Sequence, residues 1–334
     1  MNIDKSSSKT QSGLSLIELM VALAVSAILL LGVTTVYTAS KRSYQVTDEF
    51  SEIQENARFA LNVLAKNIRM SGFTGCASME GLEGNVTNNT GDTNYDFSKA
   101  SVINGHAGSG SWTNKPAGIL STTDALVIQK ASSCSASVTE QMDNAKKLIK
   151  YSGDCPFAKN EILLVTDCRS ADIFKNVNDP GGAKDETDPN QAGPNSITSS
   201  TALSKKYGDD AFVYKFEHLI YYIKNNSDSK PTLHQLLIGG NDSEIIANIE
   251  DIAFKYGEDT DGDNSIDVIR SSAATVADWS RVINVYVHLL LRSEPVGTDK
   301  KPYSFNGTDV AAADSDTRFR KEFVTAINLR NRTP

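Results

Sequence analysis

The chain has 334 residues, a formal net charge of −8 and 40% hydrophobic residues. The acidic balance argues against a nucleic-acid surface, which needs a basic stripe. No G-x-x-x-x-G-K-[ST] loop, H-E-x-x-H pair or G-x-S-x-G elbow occurs, so the chain reads as a non-enzyme.

Met1–Gly13 is polar, carries Lys5 and Lys9, and has no apolar centre of its own. It reads as a short cytoplasmic leader. An ordinary secretory signal places its apolar region before the cleavage site. Here the apolar region follows Gly13, so a cut between Gly13 and Leu14 leaves a membrane helix on the mature chain. Residues 14–39 are that helix, a run of 26 residues whose one charged side chain is Glu18. The length spans a bilayer. A lone acid in lipid costs about 2.5–3.5 kcal/mol on insertion scales and asks for a partner. The α-amine freed at Leu14 would lie one helical turn from Glu18. It could pair with its own Glu18 or with that of a neighbouring subunit. Lys41 and Arg42, beyond the span, oppose the positive-inside rule. The leader lysines, on the side where cleavage occurs, decide the orientation and put the C-terminal part outside the cytoplasm.

Residues 40–72 continue as an amphipathic helix. Val46, Phe50, Ile53, Ala57, Leu61, Leu64 and Ile68 recur at intervals of three or four. No Gly or Pro falls between Val33 and Ser71, Gly72 ends the pattern, and Gly32 is a soft point. One helix of roughly 85 Å results, its first half in lipid and its second offering an apolar stripe to a head.

Residues 73–334 read as a β-rich head. Segments 77–123, 178–200 and 294–316 are rich in turn formers and read as long loops. Strands are expected at 124–130, 161–166, 214–223, 233–238, 249–256, 281–291 and 318–329, with 214–223 and 233–238 as a hairpin. The fold class is α+β: a long N-terminal helix packed on one face of a mainly antiparallel sheet.

The cysteines are Cys76, Cys134, Cys155 and Cys168. Without a C-x-x-C pair, and with His106, His218, His234 and His288 scattered, they carry no zinc pattern. Outside the cytoplasm two disulfides are the default, and three connectivities are open. A hairpin of 124–130 with 161–166 would put Cys134 and Cys155 at its open loop and Cys168 at the other end. That arrangement favours Cys134–Cys155 with Cys76–Cys168.

The run Asp259-Thr260-Asp261-Gly262-Asp263-Asn264-Ser265-Ile266-Asp267 places carboxylates at alternating positions. Asp259, Asp261, Asp263 and Asp267 are candidate calcium ligands. An EF-hand would want Gly and Glu where Asn264 and Arg270 stand. The competing reading is a solvated acidic turn.

The polar leader, Gly13, the apolar Leu14 and Glu18 together resemble the class III signal of type IV prepilins, although Phe is more usual where Leu14 stands. The stretches FSEIQENARFALNVLAKNIRMSGFTGC (50–76), EILLVTDCRSADIF (161–174), DTDGDNSID (259–267), VINVYVHLLLRS (282–293) and the terminal NLRNR (328–332) resemble PilW-type minor pilins. The resemblance implies a pilin-like fold, cleavage between Gly13 and Leu14 by a prepilin peptidase, N-methylation of Leu14, and an assembly salt bridge from Glu18. It implies a minor subunit that primes pilus assembly and sits at the fibre tip, held in the inner membrane beforehand with its head in the periplasm. Its expected partners are other minor pilins, the major pilin, the inner-membrane assembly platform and a tip adhesin, in a fibre used for motility, adhesion or DNA uptake. A type II secretion pseudopilin of the J type and a calcium-dependent adhesin on a pilin anchor are the alternatives.

Overall fold

The structure, a computed structural model, describes residues 13, 15–76, 79, 81–82, 84–178, 195–296, 301–311 and 316–332. Helix α1, Leu16–Arg69, is one continuous element of 54 residues, about 80 Å long. Gly32 does not interrupt it. Residues 16–45 are exposed throughout, and partial burial begins at Val46. Ile53, Ala57, Ala60, Leu64 and Ile68 are buried, the face that three-and-four spacing selects. The helix ends at Met70. Gly72 follows with φ +71°, and a Cβ there would come within 2.8 Å of Met79 Cγ. A larger residue would meet both backbone strain and a clash.

Sixteen strands follow among the described residues. They are β1 Val86–Asn88, β2 Ile103–Ala107, β3 Asp124–Val138, β4 Leu148–Ser152, β5 Ile162–Thr166 and β6 Ala171–Lys175. Then come β7 Ser196–Thr198, β8 Phe212–Asn225, β9 Pro231–Leu237, β10 Asp242–Ala247 and β11 Ile249–Glu258. The last are β12 Val268–Arg270, β13 Val282–Arg292, β14 Tyr303–Phe305, β15 Thr308–Val310 and β16 Arg320–Asn328. They form a ten-stranded sheet, a four-stranded sheet in the order β12-β11-β13-β16, and the small β14–β15 hairpin. Every ladder is antiparallel except the short β1–β6 pair.

The large sheet is built around β8. One edge of β8 pairs with β3; the other pairs with β5 over its first residues and with β9 over its last. Alternate residues Leu219, Tyr221 and Ile223 face the main core, while Ile220 and Tyr222 fill a smaller one on the opposite face. Both faces are apolar because both are covered. The main core lies between this sheet, the four-stranded sheet and α1. It joins Leu64 and Ile68 to Val285, Val287, Leu289 and Leu291 of β13 and Phe254 and Tyr256 of β11. Asp124 of β3 accepts the Phe254 N–H at 3.1 Å, tying the two sheets together. Gly105 of β2 is needed where Tyr256 passes, since a Cβ there would stand 1.8 Å from the tyrosine oxygen.

Two expectations are corrected here. The sequence reading has 124–130 and 161–166 as a hairpin, but β8 lies between β3 and β5. The cysteines still join as Cys76–Cys168 and Cys134–Cys155, with Cα separations of 5.3 and 5.5 Å. Cys134 reaches its partner because the β3–β8 register slips between Ala131 and Ser135, bulging the chain outward. The long loops also hold structure: β1 and β2 lie within 77–123, β7 within 178–200, and β14–β15 within 294–316.

Candidate assembly helix and acidic loop

Two groups of sequence-predicted residues sit at opposite ends of the molecule's chemistry: an apolar anchor and an acidic loop. In the anchor, the Ser26, Thr34, Thr35 and Thr38 hydroxyls are already satisfied by the helix. Ser26 donates to the Ala22 carbonyl at 2.7 Å, Thr34 to Leu30 at 2.9 Å, Thr35 to Gly32 at 2.8 Å and Thr38 to Thr34 at 2.9 Å. Such back-bonding removes the cost of placing Ser and Thr in lipid. Glu18 differs: its side chain is exposed, and one carboxylate oxygen accepts the Ser15 N–H at 3.0 Å, closing the first helical turn. Among the described residues, no cation pairs with this carboxylate. Gly13 is exposed immediately before the helix. Leu14, expected as the cleaved and methylated residue, lies outside the described residues.

The helix is long and apolar enough to cross a membrane. Below that stretch it is gripped by the head. Phe50 packs on Phe319 with ring centroids 4.9 Å apart, and Glu49 accepts the Glu294 N–H at 2.9 Å. The C-terminal residues close the other end. Asn331 donates to the carbonyls of Ser71 at 3.1 Å and Arg69 at 3.4 Å, supplying donors at the helix C-terminus, where carbonyls lack intrahelical N–H partners. Arg332 is buried, donates to the Val282 carbonyl at 2.9 Å, and also bonds the carbonyls of Trp279 and Lys99. Burial pulls its pKa down to about 9. The terminal NLRNR was legible only as a resemblance; its role as a clasp between the helix end, β13 and the 79–102 segment was not.

The acidic loop connects β11 to β12. Asp259 is buried and accepts N–H groups from Gly262 at 2.6 Å and Asn264 at 2.9 Å. Burial pushes its carboxyl upward, but these N–H donors outweigh it and hold the pKa below the ordinary value. Asp267 accepts both the hydroxyl and the N–H of Thr260 at 2.7 Å, which lower its pKa. Oxygens of Asp259, Asp261 and Asp267 lie within 4.8 Å of one another, a spread that one ion with 2.3–2.6 Å bonds can bridge. Asp263, the fourth expected ligand, falls outside this group; its carboxylate accepts the Ser265 N–H at 2.7 Å and hydroxyl at 2.5 Å. Next to the loop, buried Glu258 takes the Ala277 N–H at 2.8 Å, the Asp278 N–H at 3.1 Å and the Arg270 guanidinium at 2.5 Å. The loop's base is therefore fixed by groups that are not themselves candidate ligands.

A long, exposed apolar helix with an acid in its first turn, carrying a disulfide-bonded and mainly antiparallel head, is a pilin-like α+β architecture. Residues 8–34 match the Prokaryotic N-terminal methylation motif, and residues 220–331 match the family described as Type IV Pilus-assembly protein W. The chain is thus similar to PilW-like type IV pilins at its C-terminal part and carries a prepilin N-methylation motif at its start, which suggests membrane anchoring and a pilus-related role. Among solved structures, a type IV-like pilin from Thermus thermophilus aligns at 11% identity over 52% of this chain and 86% of that one, with a TM-score of 0.21. No curated protein matches the sequence.

Proposed function

We propose that the chain is a minor pilin that primes pilus assembly and takes a place at the fibre tip. It is a structural subunit rather than a catalyst. A prepilin peptidase cuts between Gly13 and Leu14 and methylates the new Leu14 amine. Before assembly the subunit stands in the inner membrane with its head in the periplasm. It then docks with other minor pilins and the major pilin through the assembly platform. The observation that carries this reading is Glu18, the one charged side chain in residues 14–39, where Ser26, Thr34, Thr35 and Thr38 bond to their own backbone. In lipid, where Coulombic attraction is strong, pairing it with a neighbour's amine neutralises both charges and sets the axial register of the two helices. Glu18→Ala in cells tests this. Cleavage of the precursor should persist while incorporation into sheared pili falls. Normal pilus number and normal incorporation would refute the pairing.

A second, independent element of the proposal is calcium at Asp259, Asp261 and Asp267, supported by the convergence of their oxygens. Bound there, the ion would supply positive charge that cross-links the loop to the end of β11.

A further inference from the structure

The four-stranded sheet ends in β16, which pairs only with β13 among the described residues. The ladder's phase is fixed at its two ends. Leu329 donates its N–H to Ile283 at 2.9 Å, and Ser293 donates to the Phe319 carbonyl at 2.9 Å. With no register shift between them, odd-numbered residues of β16 direct N–H and C=O at β13, and even-numbered ones direct theirs away. Glu322, Val324, Ala326 and Asn328 thus form a free hydrogen-bonding edge. The β14–β15 hairpin reaches its beginning, where Asn306 donates to Glu322 at 3.0 Å. Val324–Asn328 stays open, with Val324 52% exposed.

This edge borders a groove of about 740 Å³ between β16 and the last turns of α1. Its floor is apolar, from Leu61, Ala65 and Phe323, and its rim is basic, from Arg58, Lys66, Arg69 and Arg330. All four cations are exposed, and none has an ion-pair partner among the described residues. In a chain of net charge −8, a cluster of four unpaired cations beside an unpaired strand edge is a local reversal of the surface field. The dimensions also agree. Arg58 to Arg69 spans about 16 Å along the helix, the length of about five extended residues.

We propose that this edge accepts an added β-strand: an extended segment with carboxylates and small apolar side chains alternating on its groove-facing side. Its backbone would bond to Val324, Ala326 and Asn328, its apolar side chains would enter the groove, and its carboxylates would meet the basic rim. Its source is a neighbouring subunit of the fibre, a step that rests on the assembly reading; the strand addition itself does not.

The test uses the full chain in detergent micelles and a fluorescein-labelled peptide of about ten residues alternating threonine with glutamate or valine. Its lysine-for-glutamate counterpart is the control. The acidic peptide should bind saturably and the basic one should not. Val324→Pro removes an outward N–H without touching the β13 ladder and should weaken binding about tenfold, while Val324→Thr should not. The double variant Arg58→Glu/Arg69→Glu, on exposed side chains, should weaken it at least as much, giving a second readout should the proline variant fail to fold. Equal binding of both peptides, or binding unchanged in folded Val324→Pro, or in the double charge reversal, would overturn the proposal. Glu18→Ala should bind the peptide as the parent chain does, so failure of the assembly reading and failure of the groove are separable.

Discussion

The helix can serve as an anchor only if the head cannot slide off it, and Leu64 is the place to test that grip. Leu64 is fully buried and sits in the main core with Ile68, Leu126, Tyr221 and Val287. Leu64→Ala removes the transfer free energy of the lost methyl and methylene groups and leaves a cavity between a rigid helix and two sheets, neither free to collapse. The expected cost is about 3 kcal/mol, within the range of about 2–5 kcal/mol for buried leucines. For a head of this size, each kcal/mol lowers Tm by roughly 2–4 °C, so Tm should fall by roughly 6–12 °C. The matched control is Phe59→Ala, on the same helix but 50% exposed, which should shift Tm by less than about 2 °C. Both are read by near-ultraviolet circular dichroism melts of the full chain in detergent. Equal, small shifts for the two variants would refute the claim that this helical face holds the head.

Asp251 supplies a pH test. Burial, then the nearby Asp124 and Glu250 carboxylates, push its pKa up to about 7, against a backbone bond from Ile252 that lowers it. The folded state therefore holds this proton between about pH 4 and 7 while the unfolded chain has released it. Its stabilising contribution is complete at the acid end of that window and is lost as pH rises through about 7. Asp251→Asn should thus gain Tm relative to the parent as pH rises from 5 to 8; a constant difference would contradict the assignment. For the acidic loop, adding millimolar calcium should raise Tm in the parent chain and not in Asp259→Asn/Asp267→Asn. Superimposed parental melts in calcium and in chelator would leave the loop a turn.

The parts of the fold that declared themselves in the sequence are those with a single environment. The stripe from Ile53 to Ile68 meets one core, so its spacing reads as one helix with one buried face. Val285, Val287, Leu289 and Leu291 alternate for the same reason. The strand β8 was harder: Tyr214 and Phe216 serve one core, Leu219, Tyr221 and Ile223 another, and Ile220 and Tyr222 a third. Alternation finds such a strand but not its neighbours, and so the intervening position of β8 between β3 and β5 stayed hidden. The disulfide pairing came out the same for a different reason, because the bulge after Ala131 brings Cys134 to Cys155. Short strands such as β1, β7 and β12 span three residues each, too few to show a period. Among the candidate site residues, Glu18 stood out because it is the one charge in an apolar run of 26 residues. Arg332 did not, because a terminal arginine looks like solvated surface until the fold buries it.

Everything functional depends on which residue begins the mature chain. Intact-mass and N-terminal fragment analysis of the native protein, purified from its membrane, measures this directly. The account predicts a chain that starts at Leu14, heavier by one methyl group at its amine. A native protein that retains Met1–Gly13, or that starts at any other residue, would contradict it.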